Sequence, residues 1–148
     1  MSLRRTPIKR TPMRRSRKRM TSKPSPRKVD AAKAMAKAAP IAVKRAGGQC
    51  ERCGLFTDLQ LHHRLKRSAA DRERPSNYLM LCLHCHTGGD ESAHAHPRMA
   101  REHGWILHSH AEPSEEWLLS WRGWVRFSDD GTFERRPGEG EPSCPESA

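Results

Sequence analysis

Large apolar side chains are scarce: hydrophobic residues make up 34% of the 148 positions and aromatic ones 5%, with three Phe, one Tyr and four Trp. So thin an apolar supply does not build a large self-sufficient core, and a second source of folding free energy is expected. No apolar stretch approaches the roughly 20 residues that cross a bilayer, and the basic N-terminus has no apolar segment behind it. A membrane span, a membrane partner and a secretory signal are thereby excluded, and a cytoplasmic location is expected. Acidic residues are missing altogether from residues 1–28, which hold 12 Lys and Arg, whereas residues 29–148 hold 16 basic and 17 acidic residues. The formal net charge of +11 is therefore carried entirely by the N-terminal segment.

That segment is punctuated by Pro7, Pro12, Pro24 and Pro26, and its densest run is Arg14, Arg15, Arg17, Lys18 and Arg19. High charge without apolar periodicity reads as a disordered arm over 1–28. Such an arm neutralises DNA phosphates without reading sequence; the plainer alternative is a solubilising tail. Residues 29–47 read as a helical lead-in, with Asp30 as its cap, Pro40 breaking or restarting it, and Gly47 and Gly48 ending it. Leu59 to His63 and Asn77 to Leu81 read as strands, with a charged loop between them. A helix is expected to begin around Cys85, and a second over Pro97 to Glu102, ended by Gly104. Trp105 to Leu107 form a short strand or buried anchor. Residues 108–148 form a C-terminal extension, with a hairpin over Trp124 to Phe127 and Thr132 to Arg135 and a loose acidic tail. Trp117, Trp121 and Trp124 recur at near-helical spacing, which reads as a packing face more than as a base-stacking surface.

Residues 50–96 hold four of the five cysteines and six of the nine histidines. Cys50 and Cys53 form one C-x2-C pair and Cys82 and Cys85 another, with 28 residues between the pairs. Two such knuckles present four thiolates to one ion, the pattern of structural zinc. The competing reading is a pair of disulfides, which lacks support without an export signal. A closed tetrathiolate site stabilises rather than catalyses, and would supply the folding free energy that burial does not. Cys144, in the tail, reads as a free thiol. His62 and His63 end the first strand, Asn77 precedes the second, and His86 follows the last knuckle cysteine.

These residues together resemble the HNH endonucleases, nucleases built on a ββα-metal motif, in the subgroup enclosed by two zinc knuckles. The matching positions are Cys50 to Gly54, Leu61 to Arg64, and Asn77 to His86, and the resemblance extends over residues 48–107. It implies an α+β fold, a small ββα-metal core stapled by a four-cysteine zinc site. It implies His62 and His86 as ligands of a catalytic divalent metal, His63 as general base, and Asn77 as the residue that orients the base through its loop or approaches the metal. The family often has Asp where His62 stands; a neutral imidazole there shifts preference from Mg²⁺ towards Mn²⁺, Ni²⁺, Co²⁺ or Zn²⁺. Similar small proteins are common in bacteriophages and prophages, where some assist the terminase during DNA packaging. The resemblance thus points to terminase subunits as partners and to a bacterial host cytoplasm.

The implied activity is metal-dependent hydrolysis of phosphodiester bonds in double-stranded DNA, by nicking or double-strand cleavage. Arg64, Lys66, Arg67, Arg72 and Arg74 would line the approach and contact phosphates, which positions rather than specifies; an ordinary solvated loop is the alternative. His84, His94, His96 and His103 read as surface residues. Adjacent residues of a regular strand point to opposite faces, so His62 and His63 can serve one site only if the strand bulges, twists or ends there. The rival function is a zinc-knuckle DNA-binding or packaging adaptor without chemistry, and RNA as substrate is a third reading.

Overall fold

A computed structural model describes residues 23–66 and 72–137. The arm residues Arg14, Arg15, Arg17, Lys18 and Arg19, the loop residue Arg67, and the acidic tail with Cys144 lie outside the described residues.

Helix α1 spans Pro26–Ala46, five residues earlier at its start than an Asp30 cap would give. Pro26 occupies the first turn, where its missing N–H costs nothing. Gly47 ends the helix at φ 60°, donating its N–H to the Val43 carbonyl. Pro40 lies inside α1 without ending it, contrary to the break expected there. An internal proline costs about 3 kcal/mol, and tertiary packing offsets this. Ala38, Ala42 and Ala46 lie on one face and pack on Tyr78 and Met80. Arg45, one position before the end, is clamped in the interior. Its guanidinium meets both Glu51 carboxylate oxygens, at 2.7 and 3.0 Å, and donates to the Pro75 and Tyr78 carbonyls. It also lies 3.6 Å over the Phe127 ring.

Strands β1, Leu59–His63, and β2, Tyr78–Cys82, form an antiparallel ribbon whose register runs unbroken from Leu59 opposite Cys82 to His63 opposite Tyr78. A 3₁₀ turn, Pro75–Asn77, leads into β2, so the strand begins one residue later than the sequence indicates. After β2 the chain makes a single π-helical turn, His84–Gly88, then helix α2, Pro97–Glu102, as its proline start foretells. Gly104, at φ 69°, follows; a Cβ there would sit 2.0 Å from the Trp117 carbonyl oxygen, so only glycine fits. Trp105 and Leu107 are buried anchors rather than strand residues.

The C-terminal region forms a three-stranded sheet, β3 Leu118–Ser120, β4 Gly123–Phe127 and β5 Phe133–Arg135, in that order. Its β4–β5 hairpin matches the expected one, with Gly131 at φ 88° in the turn. The tryptophans do not form a helical face. Trp121 sits in the β3–β4 turn and Trp124 pairs with Leu119 across the strands, because the chain there has the period of a pleated sheet. They pack all the same: Arg126, Arg122 and Arg136 lie over Trp117, Trp121 and Trp124 respectively. Leu118, Val125 and Phe127 join Leu79, Leu81, Ala93, Ala100 and Trp105 in the main core. Among the described residues no helix is long and apolar enough to cross a membrane.

Candidate metal centre

The two knuckles meet as their spacing requires. The sulfur atoms of Cys50, Cys53, Cys82 and Cys85 all lie within 4.8 Å of one another, and Cys53 and Cys82 are 3.9 Å apart. Four sulfurs about 2.3 Å from one tetrahedral ion stand about 3.8 Å apart, so the cluster has the dimensions of a zinc site. Its electrostatics agree. A hydrogen bond with Cys85 pulls the Cys50 thiol down to about 4, and the same contact drives Cys85 upwards. Four thiolates cannot coexist at this separation without a cation, and a dication removes the conflict.

A second group of ligating atoms forms where the ribbon faces the segment after it. His62, His86 and His94 bring ring nitrogens within 4.8 Å of one another. His94, read from sequence as a surface residue, belongs to this group. The turn after Gly89 carries it back over the π-helical turn, with its N–H on the His86 carbonyl. The second ring nitrogens of His62 and His86 are spoken for. The Trp105 carbonyl accepts only, so His62 donates to it from Nε2 at 2.9 Å and leaves Nδ1 as a lone pair. Likewise His86 donates from Nδ1 to Gln60 Oε1 at 2.6 Å and leaves Nε2 free. Hydrogen bonds of this kind fix the tautomer and aim of metal-bound imidazoles. His86 Nε2 and His94 Nε2 are 3.2 Å apart, close to the roughly 3.3 Å that two nitrogens on one tetrahedral ion would keep. Burial, reinforced by the neighbouring imidazoles, holds His62 down to about 4, and burial with His94 lowers His86. Both are neutral near pH 7, the form that binds a cation, and the donor set fits a divalent ion.

His63 does not join this cluster. β1 has no bulge, and it ends at His63. The side chain turns to the other face and meets Glu73: Nε2 lies 3.0 Å from Glu73 Oε2, and Tyr78 donates its hydroxyl to the same oxygen at 2.6 Å. Burial opposes ionisation of Glu73, but the hydrogen bonds from Tyr78 and His63 outweigh it and hold the carboxyl below its ordinary range. An ionised carboxylate accepts only, so His63 carries its proton on Nε2 and presents Nδ1 as an acceptor. Glu73 is a residue that sequence reasoning missed; it lies in an irregular loop with no spacing signal. Asn77 is fully buried and holds that loop. Its Oδ1 accepts from the Leu65 N–H at 2.8 Å, its amide donates to the Arg72 carbonyl at 2.7 Å, and its own carbonyl accepts from the Arg64 N–H.

Arg64 is withdrawn from the DNA interface expected of it. Its side chain is fully buried, with its guanidinium donating to the carbonyls of Gly104, Ser76, Pro113 and Glu116. Arg74 is paired with Asp129 and Glu112, and Arg72 with Glu73. Lys66 is exposed, as is His84.

No curated protein and no solved structure matches the chain. The family model of the HNH endonucleases matches residues 50–89, from the first knuckle cysteine to the end of the π-helical turn. Both cysteine pairs, His62, His63, Asn77 and His86 fall inside that match, so this segment is similar to the HNH endonuclease domain over those residues.

Proposed function

We propose that the protein is a metal-dependent endonuclease that hydrolyses phosphodiester bonds in double-stranded DNA. The observation that carries this reading is the placement of His62, within a cluster of three imidazoles, beside His63 at the end of the same strand and on its opposite face. A divalent ion held by His62, His86 and His94 would supply Lewis acidity to a phosphate oxygen. With three neutral nitrogens and no carboxylate in the set, Mn²⁺, Ni²⁺, Co²⁺ or Zn²⁺ suits it better than Mg²⁺.

His63 Nδ1, left as an acceptor by the contact of Nε2 with Glu73, takes a proton from the attacking water as general base. In-line displacement brings the nucleophile in opposite the departing 3′ oxygen. Base and leaving group must therefore lie across the phosphorus from each other, an arrangement that a base and an ion held by consecutive, diverging side chains would allow. Glu73 acts through His63, fixing the proton on Nε2 and the ring plane, while Asn77 keeps the loop bearing Glu73 in place.

Purified protein incubated with supercoiled plasmid and each of Mg²⁺, Mn²⁺, Ni²⁺, Co²⁺ and Zn²⁺ tests the reading, beside His63→Ala and His94→Ala. Cleavage by the parent should fall about 10²- to 10⁴-fold in His63→Ala, the usual contribution of a positioned base. Equal nicking by both would remove His63 from the mechanism. An absence of cleavage under every metal would leave the non-catalytic adaptor as the better description.

A further inference from the structure

Helix α1 lies outside the HNH match and presents a row of lysines that the histidine centre does not use. Lys33, Lys37 and Lys44 are all exposed and recur at spacings of four and seven residues. At about 100° per residue they fall within about 40° of one another, over a rise of about 16 Å. The opposite face is the one that packs Ala38, Ala42 and Ala46 onto Tyr78 and Met80. Asp30 is the only acid in the helix, and among the described residues none of the three lysines has an ion-pair partner.

A charged face is ordinary on a solvated helix, but two features set this one apart. The row has one sign and continues from residues 1–22, which hold nine Lys and Arg and no acid. It is also held in a fixed relation to the chemistry. Tyr78, against which α1 packs, is the residue whose hydroxyl meets Glu73 beside His63, and Arg45 locks the end of the helix to Glu51. A row anchored to β2 offers attraction and can also set where a polyanion lies.

We propose that Lys33, Lys37 and Lys44 form a phosphate-binding rail for duplex DNA flanking the bond that is cut. The identity of the polyanion rests on the nuclease reading; the rail itself rests on the helix. DNA presents one phosphate per about 3.4 Å of axis on each strand, so a row of this length spans about five base pairs, and its contacts position the duplex without reading sequence.

The test uses the full chain carrying His63→Ala, so that DNA stays intact, with and without Lys33→Gln, Lys37→Gln and Lys44→Gln together. Glutamine keeps the helix propensity of lysine, and circular dichroism checks that the fold is unchanged. Affinity for a duplex oligonucleotide is measured over a series of salt concentrations. The triple variant should bind at least tenfold more weakly at low salt, with a salt slope shallower by about two to three. An unchanged slope overturns the rail. So does a variant that loses binding to a polyglutamate peptide while its DNA slope stays the same, since that assigns the row to an acidic protein surface. A rail-dependent slope in a protein that cuts under no metal would retain the rail and remove the nuclease reading.

Discussion

His62 and His63 are consecutive residues of one strand, and the pleat sends them to different neighbourhoods. His62 turns towards His86 and His94 and donates to the Trp105 carbonyl, while His63 turns towards Glu73 and Tyr78. The first neighbourhood keeps an imidazole neutral and open to a cation. The second fixes a tautomer with a free acceptor. This divergence follows from a period of two along β1 and from the strand ending where the second histidine stands.

Replacing Glu73 by Gln should lower kcat about 10-fold or more while leaving DNA affinity nearly unchanged, because the amide no longer dictates the His63 tautomer. Single-turnover cleavage beside equilibrium DNA binding measures the split. The same change has a stability signature. Glu73 has a folded pKa below its unfolded value, so its contribution is present above the ordinary carboxylate pKa and is lost as pH falls through the folded value. Urea denaturation of the parent below about pH 4.3 should therefore weaken more steeply than that of Glu73→Gln.

Gln60 is not one of the candidate ligands, yet its Oε1 accepts from His86 Nδ1 at 2.6 Å. Loss of an outer partner of a metal-bound histidine costs about 10- to 100-fold in metal affinity. Gln60→Ala should show that loss in titrations with Ni²⁺ or Co²⁺ while its thermal melt stays close to the parent's. An unchanged metal affinity would mean that His86 is not a ligand.

Chelation of the Cys50, Cys53, Cys82 and Cys85 site should abolish the cooperative melt of the HNH segment, and Cys82→Ser should reproduce it. Circular dichroism with zinc quantified in parallel is the measurement. A melt that persists after verified zinc loss would contradict a folding role for the ion.

Arg45→Met leaves the Glu51 carboxylate buried without its cation, and breaking such a pair costs about 3–5 kcal/mol. Urea denaturation should show this loss. Arg45→Met combined with Glu51→Leu should recover much of it, since an apolar pair of similar volume is often as stable.

What was legible in the sequence was local or carried by chemistry of fixed spacing. Leu59–His63 and Pro97–Glu102 read true because β-favouring residues and a proline start are local signals. The four cysteines read true because one ion demands them together. Pro40 misled because its cost is local and the packing that outweighs it, Ala38 and Ala42 on Tyr78 and Met80, lies some forty residues away along the chain. His94 and Glu73 were invisible for a related reason: turns that only the assembled fold determines bring them to their partners. Arg64 misled most, because charge in a loop reads as surface unless the carbonyls that enclose it are known.

Those carbonyls bear on where this protein can be cut. Arg64 belongs to the matched segment 50–89, but only one of its four acceptors, Ser76, does; Gly104, Pro113 and Glu116 come from beyond it. Excising the segment would remove three of the four carbonyls that hold the guanidinium, together with the chain that encloses it. The boundary that marks the nuclease family is thus not a seam of the fold, and the shortest piece able to satisfy Arg64 must reach past Glu116.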